Sequence, residues 1–515
     1  MLSELLDDDE LIENDFQEEE DPDVELDGGK TEARIVNKQK APLEKSPFKV
    51  LVELKGVGAD EGRLGVDLVT ILDISRSMKG PKLAKMKLSM QFLIRKLSPV
   101  DRLSVVAYSR RAKKLCPLRQ ITEESQTEIV DLVNDLVANS TTNTEAGLRM
   151  ALNILKGRKL TKNRTVGIML MTDGVEDAKS NASRVPVSEV PVYTFGFGRE
   201  CDQEIYVVLS DIAKKSKGGT FTAVPDLNYL TVPFSTSLAG LLNVSIEDLN
   251  LTVTPLNSSE LNKVDAGNYP QTEQATVMDP ITVTYRSIYD RETRKVLANL
   301  TLPKVDKRLG VQIFKVGFRY RVLGKDAFDH DERLINVTRT EEPNEEEIPE
   351  VQAEETRINT ANSMKEARIL AEKEKLEEAR KMLEDANISL PEIEDILRAQ
   401  VEHLHLLMAS QETYDKQGRA FALAVESSHE TQRAKALPDG IPGLYETPLM
   451  AEYKKQAKNF DLDPEGYVIP TAEEDKKATA TPPPPPPPQQ VDRANKIQEI
   501  RDLVTLPAKK VDELE

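Results

Sequence analysis

The sequence contains no tryptophan, two cysteines and four histidines. Each scarcity removes a class of function. A RING-type zinc module needs four Cys or His ligands for each of two tetrahedral ions. These residues supply six in all, scattered from Cys116 to His429, so no RING finger can be built from them. Cys116 and Cys201 cannot make a disulfide framework and suit a reducing compartment. No apolar run is long enough to cross a membrane, and the first residues lack the basic start and apolar core of a secretory signal. The chain is therefore expected in the cytoplasm, with the nucleus as the alternative. Aromatics are only 5% and charged residues 30%, so parts of the chain must be solvated helix or unpacked tail. A net charge of −19 excludes nucleic acid as a partner of the whole chain.

The acid is concentrated at the start, where Met1 to Gly28 carry fourteen Asp and Glu and no Lys or Arg. Such a block repels itself and is expected to stay unpacked. Beyond it, Phe48–Leu54 reads as a strand, and Val66–Asp73 as one apolar enough to lie inside a parallel sheet. Pro81 suits the first turn of a helix whose Leu83, Met86, Met90, Leu93, Ile94 and Leu97 share one face. Strands at 103–108, 166–172, 191–198 and 219–224 alternate with helices from Thr122, over 143–155 and over 204–215. That alternation predicts an α/β fold, a doubly wound and mostly parallel sheet. From about residue 245 short alternating strands indicate a small antiparallel β unit. Residues 360–387, and then a segment from Pro391 through His405, predict a helical hairpin of coiled-coil type. His403 and His405 are two apart and point to different sides of a helix, so they cannot chelate one metal. Pro482–Pro488 predicts a polyproline II spacer, followed by a charged helix from Val491. Asp461 to Gly466 resembles the start of a calcium loop, but Ala472 stands where a bidentate Glu is required.

The chemistry-bearing residues sit at the ends of apolar strands. Asp73, Ser75 and Ser77 form Asp-x-Ser-x-Ser where the strand 66–73 stops. Carboxylate and hydroxyl oxygens are hard ligands, suited to Mg²⁺ or Ca²⁺ rather than zinc. Taken singly, each is equally a helix cap or turn residue. Two further segments complete a constellation, with Thr142 before the helix at 143 and Asp173 after the strand 166–172. Ligands bind at the carboxyl ends of the strands in such sheets, where these three segments can meet.

The set resembles the metal-ion-dependent adhesion site of a von Willebrand factor type A domain. The likeness extends through Asp101–Tyr108, Val192–Gly198 and Gly218–Phe221, and then through Tyr414, Gly418-Arg419-Ala420, Ser428-His429, Gln432-Arg433 and Tyr445–Pro448. It is similar to the plant group of these proteins, many of which carry an N-terminal RING and resemble ubiquitin ligases. The resemblance implies a Mg²⁺ site, with Ca²⁺ or Mn²⁺ as alternatives, in which Ser75 and Ser77 bind directly and Asp73, Thr142 and Asp173 bind directly or through water. It also implies a protein partner that offers an Asp or Glu carboxylate to the ion. The family commonly has Gly where Arg76 stands, and Gly-Gly where Ser140-Thr141 stand.

The expected division is an acidic tail over 1–45, the type A domain over 46–242, an antiparallel β domain over 243–340, an acidic linker over 341–356, a helical region over 357–450 and a Pro-rich tail with a terminal helix over 451–515. The expected function is a non-enzymatic protein-binding module. The alternatives are the substrate-binding subunit of a ubiquitin ligase assembly whose RING is on another chain, and a structural scaffold with a vestigial metal site.

Overall fold

The computed structural model describes residues 30–58, 63–161, 164–174, 181–197, 203–224, 230–322, 328–343, 346–435, 437–438 and 440–480. The acidic block over 1–29, Cys201, the polyproline run and the helix expected from Val491 lie outside these residues. Strands β1 (Lys30–Asn37), β2 (Lys40–Pro42) and β3 (Ser46–Val57) come first. The tail expected to reach residue 45 therefore gives way to structure by Lys30. The acidic run has ended there, and Ala33 and Ile35 alternate with polar residues and lean on an apolar core. A second correction concerns β3, expected within the type A unit. It pairs instead with β1 and with the later strand over Thr293–Leu302, both antiparallel. Phe48, Val50, Val52 and Leu54 recur at period two, which suits a strand with one buried face in a sandwich.

The parallel sheet follows as one continuous insertion. Its elements are β4 (Gly65–Asp73), α1 (Pro81–Lys96), β5 (Arg102–Tyr108), β6 (Ala112–Gln120), α2 (Glu123–Asn134), α3 (Thr144–Gly157), β7 (Arg164–Thr172), β8 (Val192–Phe197), α4 (Gln203–Lys215), β9 (Thr220–Val224) and α5 (Thr231–Leu241). The strand order is β6-β5-β4-β7-β8-β9, and all pairs are parallel except β5 with the edge strand β6. All nine residues of β4 are buried, as a strand covered by helices on both faces requires. One face packs on α1, α2 and α5, the other on α3 and α4. β6 and α5 lie outside the sequence reading. The Lys-rich start of β6 shows no alternation, and α5 is buried nearly all round, so it presents no polar stripe to read.

Strands β10 (Val244–Pro255), β11 (Glu260–Asp265), β12 (Ile281–Thr284), β13 (Ser287–Tyr289), β14 (Thr293–Leu302), β15 (Leu309–Val322) and β16 (Phe328–Thr340) complete a sandwich of two sheets, β1-β3-β14-β11 and β12-β10-β15-β16-β2. The doubly wound unit thus interrupts the sandwich between β3 and β10. Both connections are tied to one turn. Asp290 N–H donates to the Asn243 carbonyl at 2.8 Å, and Arg291 N–H to the Gly56 carbonyl at 2.8 Å.

Helices α6 (Pro349–Ala371), α7 (Leu376–Ser389), α8 (Asp395–Leu407), α9 (Gln411–Thr413), α10 (Arg419–Thr431), α11 (Pro448–Leu462) and α12 (Ala472–Ala480) follow. The expected linker over 341–356 already contains the start of α6. The single helix expected over 360–387 is two, broken where Glu374 adopts a left-handed φ of 59°. The helix expected from Pro391 starts at Asp395. α6, α7, α8 and α10 share an apolar core, so the hairpin is part of a bundle. The largest correction is at 451–480. Leu449, Met450 and Tyr453 enter the core beneath α1 and α5, while Ala457 and Phe460 close on Phe92 and Val232. The Lys- and Pro-rich composition concealed a helix with one apolar face at 3.6 spacing.

Candidate metal centre

Asp73 is the last residue of β4, and its carboxylate is out of contact with solvent because β5 and β7 flank it. Oδ1 accepts the Ser75 N–H at 2.7 Å, which folds the chain back into a tight turn. Oδ2 accepts the Thr172 hydroxyl at 2.7 Å and the Tyr108 hydroxyl at 3.4 Å. Burial pushes the Asp73 carboxyl up to about 6; the bonds from Thr172 and Ser75 act against that rise, and the charge of Asp173 adds to it. A divalent ion beside such a group would offset the cost of keeping it ionised.

The turn brings Ser75 Oγ to 3.0 Å from Ser77 Oγ, and the Ser77 hydroxyl donates to Asp173 Oδ1 at 2.8 Å. Asp173 follows Thr172 at the end of β7, so two strand ends and one turn converge. Thr142 lies in the loop that leads to Asn143, whose side chain accepts the Ala146 N–H as the cap of α3. Gly174 joins the segments. A Cβ on it would come 3.0 Å from Ser77 Oγ and 3.8 Å from Thr142 Oγ1, so glycine keeps the space between these hydroxyls open. The five expected residues therefore lie around one end of β4 and β7. Hydroxyl and carboxylate oxygens around an open space fit a hard divalent ion. Among the described residues no group of three or more His, Cys, Asp or Glu could hold a metal; the five residues here bring two carboxylates and three hydroxyls instead.

Three positions, Arg76, Ser140 and Thr141, depart from the glycines usual in such turns. Ser140 takes the left-handed conformation, φ 60°, that glycine adopts without strain, and its carbonyl accepts the Arg76 N–H at 3.0 Å. The Arg76 side chain is exposed and its backbone is not left-handed, so arginine fits there without distortion. Lys82, Thr172 and Tyr108 escape motif reading. Lys82 stands in the first turn of α1, and its ammonium contacts Asp173 Oδ2 at 2.6 Å. Its position just past the Asp73–Ser77 turn is the signal that could have found it.

A family model described as von Willebrand factor type A domain matches residues 67–235, from within β4 into α5. The chain carries a von Willebrand factor type A domain. A second model, described as VWA / Hh protein intein-like, matches residues 385–459, from the end of α7 to α11. The chain is 27% identical over 249 residues to E3 ubiquitin-protein ligase WAV3 of Arabidopsis thaliana, covering 48% of this chain and 32% of that protein. It is 31% identical over 215 residues to probable E3 ubiquitin-protein ligase WAVH2 of the same plant, covering 40% and 28%. The matched region thus spans about a third of each relative's length. Among solved structures, von Willebrand factor type A from Catenulispora acidiphila superposes with a TM-score of 0.58 at 15% identity, over 78% of this chain and 96% of that one. That likeness concerns the fold alone. The type A domain here is set inside a sandwich, and among the described residues no helix is long and apolar enough to cross a membrane.

Proposed function

We propose that this protein is a binding module that recognises an acidic group of a protein partner through a divalent ion held by Asp73, Ser75, Ser77, Thr142 and Asp173. The observation that carries this reading is the chain of contacts from Ser75 Oγ through Ser77 Oγ to Asp173 Oδ1, beside the space that Gly174 leaves open. Ser75, Ser77 and Thr142 would offer neutral oxygens, and the two carboxylates would balance the ion's charge. Mg²⁺ keeps several waters, so a partner's Asp or Glu can replace one; Mn²⁺ and Ca²⁺ bring the same oxygen preference. What the ion supplies is a Lewis-acidic position for a carboxylate. The rest is positioning: Thr172 and the Ser75 backbone fix Asp73, and Ser77 fixes Asp173.

Titration calorimetry with Mg²⁺ and Mn²⁺ tests the reading. One site is expected, lost in Asp73→Ala with Ser75→Ala. No heat and no thermal stabilisation by any divalent ion in the folded wild type overturns it.

A second reading is favoured by the similarity to two proteins named as ubiquitin ligases. In it the same module selects substrates for ubiquitin transfer by a RING on another chain. Ligase activity that co-purifies with wild type but not with Asp73→Ala supports it.

A further inference from the structure

We infer that Lys82 is a tethered cation that weakens metal binding at the type A site and, once the ion is bound, makes the site selective for acidic partners. This rests on the metal-site reading above and says how that site is tuned. Lys82 Nζ lies 2.6 Å from Asp173 Oδ2, and the Asp173 side chain is shut off from solvent. Ser77 already donates to the other carboxylate oxygen. Both oxygens of Asp173 are therefore engaged by donors of this chain, one of them a full positive charge. An entering ion must share that carboxylate with an ammonium that cannot diffuse away, because Lys82 is fixed by α1, which starts at Pro81.

Formal charges give the direction of both effects. Asp73 and Asp173 together with Lys82 sum to one negative charge, and a divalent ion turns this into one positive charge. Without Lys82 the same site would carry two negative charges empty and none when filled. Lys82 therefore lowers the attraction for the ion and raises the attraction of the filled site for a carboxylate. In a chain whose net charge is −19, that local positive charge also distinguishes this spot from the surrounding surface. Arg76, exposed on the adjoining turn, adds charge of the same sign but is not in contact with either carboxylate among the described contacts.

The test compares the full chain as wild type, Lys82→Gln and Lys82→Arg. Titration calorimetry with Mg²⁺ is expected to show Lys82→Gln binding roughly five-fold or more tightly than wild type, with Lys82→Arg close to wild type. With Mn²⁺ in the site, the relaxation of acetate protons reads carboxylate approach, and acetate affinity is expected to fall by a similar factor in Lys82→Gln. Equal Mg²⁺ affinity in wild type and Lys82→Gln overturns the inference while leaving the metal site standing. Tighter metal with unchanged acetate binding overturns the selective role. No metal heat in any of the three overturns the metal-site reading itself, and this inference with it.

Discussion

Lys96 of α1 donates to Asp475 of α12, and neither side chain is more than 3% exposed. The same ammonium donates to the Pro470 carbonyl at 2.6 Å and lies over the Tyr453 ring, 4.4 Å from its centroid. Burial pulls the Lys96 pKa down, against the pull of Asp475. A segment remote in sequence is thereby locked to the helix that starts beside the Asp73–Ser77 turn. Breaking one partner of such a pair strands a buried charge and costs about 3 to 5 kcal/mol. Asp475→Ala is expected to lower the melting temperature of the type A unit by several degrees. Lys96→Met with Asp475→Leu should recover much of the loss, because the stranded charge is gone. Both are read by differential scanning calorimetry.

A chain ending at Met450 tests the same contact more severely. It removes Tyr453, Ala457 and Phe460, all fully buried. Burying a large apolar side chain contributes about 1.5 to 3 kcal/mol. Truncation is therefore expected to destabilise α1 and α5 and to expose apolar surface that binds a hydrophobic dye. An unchanged melting curve would show that the segment after Met450 contributes nothing.

The contrast between α11 and β4 shows what could be read from sequence. Nine consecutive buried residues ending in Asp73 announce a central strand, and the hydroxyl spacing after it announces a turn, because both are local patterns. The contacts that matter for α11 are not local. Phe460 meets Phe92 with ring centroids 5.6 Å apart, and no periodicity within either helix names the other as its partner. The same holds for β3, whose alternation marks a strand but not that its neighbour β14 lies beyond an inserted domain. At the candidate site, the convergence of Asp73, Ser75, Ser77, Thr142 and Asp173 could be read because a motif carries them. Lys82 was not, since a lysine in a first helical turn is ordinarily a solvated residue.

Arg433, in one of the stretches of family likeness, ties three parts of the fold together. Its guanidinium donates to Glu292 at 3.2 Å, to the Gly218 carbonyl at 2.7 Å and to the Ser287 carbonyl at 2.9 Å, joining the helical bundle, the type A domain and the sandwich. The preceding Gln432, left-handed at φ 47°, bonds both backbone groups of Lys295. Arg433→Ala would leave these carbonyls and part of the Glu292 charge unpaired, at about 3 to 5 kcal/mol. Arg433→Lys is expected to rescue little, because an ammonium cannot reproduce the planar fork. Limited proteolysis should then cut first in the segment between α10 and α11.

Arg76 gives a prediction of the opposite kind. It is exposed, and its backbone N–H rather than its side chain makes the contact to Ser140. Arg76→Gly is expected to leave the fold unchanged within about 0.5 kcal/mol, the usual range for surface changes. Metal affinity should hold or rise slightly as a nearby positive charge is removed. A large loss of stability would mean that the side chain braces the turn.

Acid sensitivity separates His429 from the carboxyl groups. Burial, reinforced by the Arg357 charge, pulls His429 down to about 3, and its ring hydrogen-bonds Gln400 at 3.0 Å and meets Arg357 at 3.3 Å. A histidine whose folded pKa is depressed contributes its stability above its unfolded pKa, near 6.5, and loses it progressively as pH falls toward the folded value. At pH 5 the loss is about 2 kcal/mol relative to pH 7. Asp73 and Asp461, both pushed up to about 6 chiefly by burial, act in the reverse sense: the stability they contribute is present at acid pH and is lost as pH rises through 6. The net pH profile of the wild type therefore mixes both signs, and the difference between wild type and His429→Gln isolates one. Gln keeps hydrogen-bonding capacity toward Gln400 and Arg357 but cannot titrate. The variant is expected to be less stable than wild type at pH 7.5, and the gap should narrow by about 2 kcal/mol by pH 5. Melting curves at the two pH values give the answer, and a gap that stays constant would mean that His429 takes up its proton equally in the folded and unfolded states, so that burial does not depress it.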